Sequence, residues 1–230
     1  MKLLSKNLQG FDDVQVGKRE DIPIEKGAVL GEDFFEKNQD LVEKYCNFFT
    51  AYPDLFLDLI KPVDSSFSFF FYQRIVLRAL MRYKIVYISA CRAFSKSFLT
   101  ILALFLQCVF MPGTKRFICA PYKNQGAQIA KEKLTEIFRL FPLLRREVIG
   151  GSVAEVPGNY GKDYVTLRFR NGSEFTVVGA ADSTRGGRRH GGLLDELRDH
   201  DEKDITEIVL PLMNVSRRLP DNTVTSRCRS

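Results

Sequence analysis

The sequence predicts an α/β fold: a three-layer sandwich with a mainly parallel central sheet, preceded by a helical N-terminal extension. Short β-branched runs alternate with helical patterns between residues 84 and 141, an order that predicts parallel crossovers. Hydrophobic residues make up 45% of the chain and charged residues 27%, which excludes a mainly disordered protein. At 230 residues, one large domain with a small appendage is expected.

The N-terminal extension covers residues 1–60 and precedes the main domain, residues 61–230. Its first part mixes charges and glycines without periodicity. From Glu32, apolar residues recur at three- and four-residue intervals, which predicts an amphipathic helix ending before Pro53. A second apolar run ends at Pro62. We expect this acidic, mainly helical segment to serve as a lid, as a docking surface or as an ordinary packing appendage.

The first half of the main domain alternates helical and strand patterns. Its second predicted element is short and β-branched, as in a strand that a parallel sheet buries on both faces. In chain order the patterns predict a helix at residues 67–81, a strand at 84–89, a helix at 97–111, a strand at 116–121 and a helix at 125–141.

The second half of the main domain begins with a hairpin. Two strand-like runs, 164–170 and 174–179, flank Asn171 and Gly172, and Asn-Gly suits a tight turn with positive φ. The remaining patterns predict a core strand at residues 191–194, a helix at 204–212 and a strand at 223–226.

Charge is distributed unevenly along the chain. Residues 1–60 carry seven Lys and Arg against twelve Asp and Glu, whereas residues 61–230 carry 27 against 16. The basic excess therefore belongs to the main domain. It favours a polyanionic partner such as nucleic acid, and the alternative is an ordinary solvated face.

Cysteine usage and hydropathy exclude several classes of protein. The five cysteines are odd in number, scattered and without a Cys-x-x-Cys pair, which indicates reduced thiols in place of disulfides or a zinc site. The N-terminus has no apolar core of signal-peptide length. The longest apolar stretch, residues 98–111, is too short to cross a bilayer and predicts a buried helix.

Residues 90–97 follow the predicted strand and precede a predicted helix, as a phosphate-binding loop does. In such loops backbone N–H groups and a helix N-terminus surround phosphate, a Lys reaches the β and γ phosphates, and a hydroxyl binds Mg²⁺. Lys96 and Ser97 fit the last two roles. Ala90 and Ser95 occupy the consensus glycine positions, so the alternative is an ordinary helix cap.

Asp195 and Glu196 end the predicted strand at residues 191–194. Hydrolysis of a γ-phosphoryl group needs a carboxylate to support Mg²⁺ and a second group to position the attacking water. The two carboxylates meet both needs, although a surface pair is the alternative. Together with Lys96 and Ser97 they predict a nucleotide site for ATP and Mg²⁺.

The order and spacing of these segments resemble the ATPase domain of the large terminase subunit of tailed bacteriophages. The resemblance covers residues 70–226 and implies a P-loop NTPase fold of the ASCE-like type. In that family a divergent loop with an Arg near its start is usual. The segments that carry the resemblance are residues 72–73, 91–97, 118–121, 169–173, 184–188 and 193–196.

The resemblance implies roles for individual residues. Asp195 would support the metal with Ser97, Glu196 would activate water, Lys96 would bind phosphate, and Arg92 would contact phosphate or sense the nucleotide. The rest of the nucleotide-binding loop would be Cys91, Ala93, Phe94 and Ser95.

Two further assignments follow from the resemblance. Gln73 with Tyr72 is similar to the adenine-recognising glutamine upstream of the loop, the alternative being a solvent-facing helix Gln. Arg185 is similar to an arginine that acts on a neighbouring subunit's nucleotide. For Arg185 the alternatives are a DNA-backbone contact, shared with Arg188 and Arg189, or an exposed loop.

The resemblance also implies the setting in which the chain works. We expect a motor that packages double-stranded DNA into a procapsid in the host cell cytoplasm, as a homo-oligomeric ring with portal protein and small terminase subunit and with no membrane. Thr225 and Ser226 occupy the region of the family's coupling motif. A large terminase continues into a nuclease domain, for which no residues remain here, so we expect no nuclease activity. The alternatives are a helicase-type ATPase and a non-enzymatic basic nucleic-acid-binding protein.

Overall fold

The computed structural model describes residues 38–150, 157–179, 189–206, 211, 217–218 and 224–225. The chain divides into two compact units, Met1–Glu43 and Lys44–Ser230. The helices are α1 (Gln39–Ala51), α2 (Pro53–Ile60), α3 (Phe71–Arg82), α4 (Lys96–Phe110), α5 (Lys123–Leu140) and the short α6 (Glu202–Asp204). The strands are β1 (Lys115–Ala120), β2 (Asn159–Tyr160), β3 (Val165–Arg168), β4 (Glu174–Gly179), β5 (Gly191–Leu194), β6 (Arg217–Arg218) and β7 (Val224–Thr225). Two 3₁₀ turns are Pro142–Glu147 and Leu197–Asp199.

A five-stranded mixed sheet, parallel in its centre, has the order β2-β3-β4-β1-β5. β1 pairs in parallel with both β4 and β5, while β3 pairs antiparallel with β2 and β4. Ile118 of β1 lies opposite Val177 on one side and Leu193 on the other. The carboxyl ends of β1, β4 and β5 therefore meet at one edge of the sheet, the edge at which open α/β sheets bind ligands.

Most of the predicted elements are confirmed. α3, α4, α5, β1, β4 and β5 each lie within a few residues of their predicted ranges. The hairpin is confirmed as well, because β3 and β4 are antiparallel and Gly172 in their turn has φ 78°. Residues 32–37 and 207–210, which belong to two other predicted helices, lie outside the described residues.

The predicted strand at residues 84–89 is wrong. Residues 85–90 have no regular secondary structure, and none of the described strands pairs with them. Ile85 and Tyr87 are 85% and 78% exposed, whereas a strand within a parallel sheet would bury both. β-Branched residues suit a pleated, half-buried surface, but packing with distant parts of the chain decides whether a strand pairs. The position beside β1 is taken by β5, which is an edge of the described sheet.

Helix α4 is the centre of the hydrophobic core. It packs against α3, α5 and the strands β1, β4 and β5. Fully burying an aliphatic or aromatic side chain contributes about 1.5–3 kcal/mol, so this helix is firmly anchored. Its side chains without exposed surface are Leu99, Ile101, Leu102, Phe105, Leu106 and Cys108.

The direction of α4 sets where its N-terminus lies. The side-chain amide of Asn171, in the β3–β4 turn, donates to the carbonyls of Cys108 and Val109 at 2.8 and 2.9 Å. The C-terminus of α4 therefore lies at the amino end of β4. Because the helix packs along the sheet, its N-terminus and the preceding loop lie toward the carboxyl edge.

The second face of the sheet has a smaller apolar cluster, formed by Phe117, Cys119 and Val178 with Leu194 packed against them. The third layer of the predicted sandwich stays a prediction. In the part of the chain that the structure describes, no helix has the length and apolar character needed to cross a bilayer.

Candidate functional site

The loop before α4 contains two left-handed residues. Ala93 has φ 64°, and Ser95 has φ 63° and ψ 26°. This region costs a residue with a β-carbon about 1–2 kcal/mol, whereas glycine adopts it freely. Ser95, which replaces a consensus glycine, therefore takes the backbone conformation that glycine favours.

Helix α4 begins directly after this loop. Ser95 is its N-cap residue but makes no side-chain capping bond, and the first helical hydrogen bond runs from Leu99 N–H to the Ser95 carbonyl at 3.0 Å. The first N–H groups of a helix have no intrahelical partners and lie at the positive end of the helix dipole. The start of α4, with Lys96 and Ser97 in its first turn, is therefore suited to an anion.

Lys96, near the end of the loop, is hydrogen-bonded to Ala90 at its start. Its Nζ donates a hydrogen bond to the carbonyl oxygen of Ala90 at 2.7 Å, and the side chain is half-buried. Burial raises the pKa of the Asp195 carboxyl, and the positive charge of Lys96 opposes part of that rise.

The predicted carboxylate pair lies at the carboxyl end of β5. Asp195 N–H donates to the Cys119 carbonyl at 2.9 Å, which continues the pairing of β5 with β1. Glu196 is left-handed, with φ 48°, and its N–H donates to Asp195 Oδ1 at 3.2 Å. The turn leaves Asp195 half-buried and Glu196 exposed.

Burial raises the pKa of Asp195, and the negative charge of Glu196 raises it further. The hydrogen bond from the Glu196 N–H and the positive charges of Lys96 and His200 act in the opposite direction, and the net shift is upward. A carboxyl in this position is stabilised as a carboxylate when a cation lies beside it.

The close approach of β5 to β1 requires glycine at position 192. A β-carbon there would lie 2.6 Å from both the ring and the carbonyl oxygen of Phe117. Gly192 lets the two strands pair without displacing that ring. It therefore helps to fix Asp195 three residues further along the chain.

A cavity of about 290 Å³ opens beside the loop. Residues 93–98 form one wall, Phe67 and Gln73 a second, and Lys133 and Glu136 of α5 a third. This volume is near the lower end of the range for small-molecule sites. The cavity brings together Gln73 and most of the predicted loop.

Tyr72 and Gln73, at the start of α3, contact the loop. The ring centroids of Tyr72 and Phe94 are 4.6 Å apart, and Gln73 Nε2 donates to Ser95 Oγ at 3.4 Å. The alternative of a solvent-facing Gln73 is wrong, because this side chain is only 6% exposed.

The other predicted site residues lie in different settings. Cys91 and Arg92 are exposed in the first part of the loop. Arg185 and Arg188 lie outside the described residues, and so does Ser226. Their predicted roles stay predictions.

Several residues of the site had no sequence signal. Lys133 and Glu136 line the cavity and form an ion pair of 2.9 Å, one turn apart on α5, which in sequence is an ordinary helix-surface pair. His200 Nε2 donates to the Asp195 carbonyl at 2.9 Å and holds the turn after β5. A hydrogen bond from a side chain to a backbone carbonyl does not depend on the identity of the accepting residue, so no sequence motif indicates it.

His190 has structural contacts. Its Nδ1 accepts from the Lys115 N–H at 2.9 Å, and its own N–H donates to the Lys115 carbonyl at 2.8 Å. These bonds join the starts of β1 and β5.

The oxygen atoms of Ser97 and Asp195 suit Mg²⁺, a hard cation that takes oxygen ligands and usually few from protein. The described residues include no group of three or more His, Cys, Asp or Glu side chains that could hold a metal ion. A Mg²⁺ ion held mainly by substrate phosphates and water does not need such a group.

Neither a protein-family model nor a curated protein matches the chain. Among solved structures, the large terminase ATPase domain of Thermus phage P74-26 matches with 21% identity and a TM-score of 0.39, over 53% of this chain and 51% of that chain. The large terminase of another thermophilic bacteriophage matches with 13% identity and a TM-score of 0.36, over 52% of this chain and 29% of that chain. The match thus spans about half of the first protein and less than a third of the second. TM-scores below 0.5 do not establish a shared fold.

Proposed function

We propose that this chain is an ATP-hydrolysing motor of viral DNA packaging, of the large terminase type, which translocates double-stranded DNA into a procapsid. One observation carries the proposal. A loop with two left-handed residues places Lys96 at the start of a buried helix, whose N-terminus lies toward the sheet edge at which β5 ends before Asp195. A phosphate bound at the start of this helix would lie at the same edge of the sheet as the carboxylate.

The triphosphate binds between the loop and the start of α4. The first N–H groups of α4 donate to phosphate oxygens, and the helix dipole adds to the attraction. Lys96 exchanges its hydrogen bond with the Ala90 carbonyl, 2.7 Å in this structure, for one with a phosphate oxygen. The exchange replaces a neutral acceptor with an anionic one, which forms a stronger hydrogen bond.

Hydrolysis depends on Ser97 and the two carboxylates. Ser97 and Asp195 would hold Mg²⁺, which neutralises charge on the phosphates. Glu196, exposed at its turn, orients and deprotonates the attacking water. Asp195 is half-buried and Glu196 is exposed after the left-handed turn, so one carboxylate serves the metal site and the other is available to water.

The charge distribution is consistent with the partners that the terminase resemblance implies. The basic excess of residues 61–230 fits double-stranded DNA, while the acidic residues 1–60 suit a protein partner such as a portal protein or small terminase subunit. Arg185 acts on the nucleotide of a neighbouring subunit in a ring, where it stabilises charge that develops in the transition state.

ATP turnover tests the enzymatic part of this proposal. Lys96→Ala and Glu196→Gln each abolish turnover, and Glu196→Gln still binds ATP because its phosphate loop is intact. Lys131→Ala and Glu132→Gln, on the exposed face of α5, are matched controls that keep wild-type turnover. Turnover that persists in Lys96→Ala overturns the assignment. Absence of any ATP binding at millimolar concentration, measured by calorimetry with Mg²⁺, supports the non-enzymatic alternative.

A second assay tests the coupling to DNA. Linear duplex DNA should stimulate turnover in the wild type but remain double-stranded, because a packaging motor moves the duplex as a whole. A partial duplex with a labelled strand shows the difference. Release of that strand in the presence of ATP favours the helicase alternative.

A further inference from the structure

Gln73 connects helix α3 to the loop before α4 through both ends of its side-chain amide. Oε1 accepts a hydrogen bond from the Phe70 N–H at 3.0 Å, and Nε2 donates to Ser95 Oγ at 3.4 Å. The first bond fixes the orientation of the amide, because a flipped amide would place its NH₂ group against a backbone N–H. The NH₂ group therefore faces Ser95.

Ser95 does not make the hydrogen bond that a serine at a helix N-cap usually makes. A serine at a helix N-cap normally has an extended backbone and accepts a hydrogen bond from the second or third N–H of the helix. Ser95 is left-handed and makes no such bond, and its hydroxyl lies beside Gln73. A left-handed residue other than glycine persists only where its surroundings hold it.

Two adjacent residues of α3 supply that support. Gln73 holds Ser95 by a hydrogen bond, and Tyr72 packs its ring against Phe94 at 4.6 Å. α3 is itself anchored in the core by Leu77, which has no exposed surface, and by Met81, which is 4% exposed. The loop conformation is thus set by a rigid element outside the loop.

The same bonds oppose a role for Gln73 in reading a base. Bidentate recognition of adenine uses the amide oxygen to accept from N6 and the amide NH₂ to donate to N7. In this structure the oxygen is bonded to Phe70 and the NH₂ to Ser95. Each end of the amide keeps one further bonding position, so an adenine would have to fit beside the Phe70 and Ser95 bonds, at a side chain that is only 6% exposed.

We infer that Gln73 is a positioning residue that holds Ser95 left-handed and so directs Lys96 and the first N–H groups of α4 toward a phosphate chain, whichever base that chain carries. The inference rests on the proposed function for its ligand. It differs from base recognition in a measurable way, because loss of Gln73 weakens the binding of every nucleoside triphosphate by the same factor.

Binding of ATP and GTP to the full chain, by calorimetry with Mg²⁺, tests the inference. Gln73→Met, which keeps the volume of the side chain, weakens the binding of both nucleotides by about two- to tenfold, the range for loss of one hydrogen bond, and leaves the ratio of their affinities unchanged. Gln128→Met, at an exposed position of α5, is the matched control and leaves both affinities unchanged. A loss confined to ATP overturns the inference in favour of base recognition.

A double-mutant cycle separates the Gln73–Ser95 contact from other effects of either change. Ser95→Ala removes the hydroxyl but leaves the cap of α3 intact. If the contact acts as inferred, Gln73→Met has little further effect on affinity once Ser95 is alanine. Fully additive effects contradict the inference.

A measurement without ligand distinguishes failure of the inference from failure of the proposed function. Amide hydrogen exchange at residues 95–98 is faster in Gln73→Met and in Ser95→Ala than in the wild type, while exchange in β1 is unchanged. Unaltered exchange at the loop overturns the inference. A wild type that binds no nucleotide overturns the proposed function, and the exchange experiment then still decides whether Gln73 holds the loop.

Discussion

Arg78 donates two hydrogen bonds to the carboxylate of Asp54, from Nε to Oδ1 and from Nη2 to Oδ2, each 2.7 Å long. Arg74 donates to the same carboxylate at 3.1 Å and to Asp58 at 2.6 Å. Asp54 has no exposed surface, so these two guanidinium groups balance a fully buried charge. The contacts join α2 to α3, the helix that carries Gln73.

Asp54→Ala should lower the free energy of unfolding by about 2–4 kcal/mol, because it removes three charge-assisted hydrogen bonds at once. The estimate is below that for a wholly buried pair, since Arg74 and Arg78 are partly exposed and can be hydrated. Asp64→Ala, at an exposed position of the same region, is the control and should change stability by less than about 0.5 kcal/mol. Urea unfolding followed by circular dichroism measures both, and equal effects of the two substitutions would contradict the role of Asp54.

The same cluster predicts how stability depends on pH. Burial alone would raise the pKa of Asp54, but the hydrogen bonds and charges of Arg78 and Arg74 outweigh burial and hold the pKa below its ordinary value. Since the pKa is lower in the folded chain than in the unfolded chain, the contribution is fully present above the unfolded value of about 3.9 and is lost as pH falls through the folded value. Asp54→Asn should therefore show a weaker loss of stability on acidification below about pH 4 than the wild type. If the free energy of unfolding fell equally steeply with decreasing pH in both proteins, Asp54 would not be the source of the acid sensitivity.

Local sequence patterns predict those helices and turns whose formation depends mainly on neighbouring residues. Helix α4 follows from an apolar run that ends at Pro112, and the hairpin follows from Asn171 and Gly172, whose chemistry determines the turn. The strand at residues 84–89 could not be judged in this way. Its β-branched composition is real, but a strand needs a partner, and the sequence of a segment does not specify which distant segment pairs with it.

The candidate site likewise contains residues that a local pattern indicates and residues that only the packing of distant elements brings together. The sequence indicates Lys96 and Asp195 because each is a charged residue at a junction between elements, and the structure places both at such junctions. The contact of Gln73 with Ser95 and the cavity wall formed by Lys133 and Glu136 depend on the packing of α3 and α5 around the loop. Those relationships join residues 22 or more positions apart, so no local pattern reports them.

The left-handed residues of the loop predict an unusual effect of glycine. Ala93→Gly should stabilise the protein by about 0.5–1 kcal/mol, because relief of the left-handed β-carbon exceeds the extra entropy that glycine has in the unfolded chain. Ala79→Gly, the same substitution in the middle of α3, should instead destabilise by about 1 kcal/mol. Thermal unfolding of the two variants gives the comparison directly. A loss of stability in both would mean that Ala93 is not strained.

Chemical labelling can show whether a nucleotide occupies the loop. Cys91 and Cys46 are exposed thiols, one at the start of the loop and one on α1, whereas Cys108 and Cys119 are buried. Burial raises the pKa of the Cys108 thiol far above its ordinary range and keeps that group unreactive. A maleimide should therefore modify Cys91 and Cys46 much faster than the two buried residues.

ATP with Mg²⁺ should slow the modification of Cys91 by about tenfold or more at saturation, because phosphates bound by residues 90–97 restrict access to the loop and fix its backbone. Cys46 in the same molecule is an internal control whose rate should not change. Glu196→Gln is the protein to use, since under the proposed function it binds ATP without consuming it during the reaction. Mass spectrometry of the two peptides gives each rate separately. Equal labelling rates of Cys91 with and without saturating nucleotide would mean that the nucleotide binds elsewhere. Slower labelling of both Cys91 and Cys46 would indicate a general change in the protein instead of occupancy of the loop.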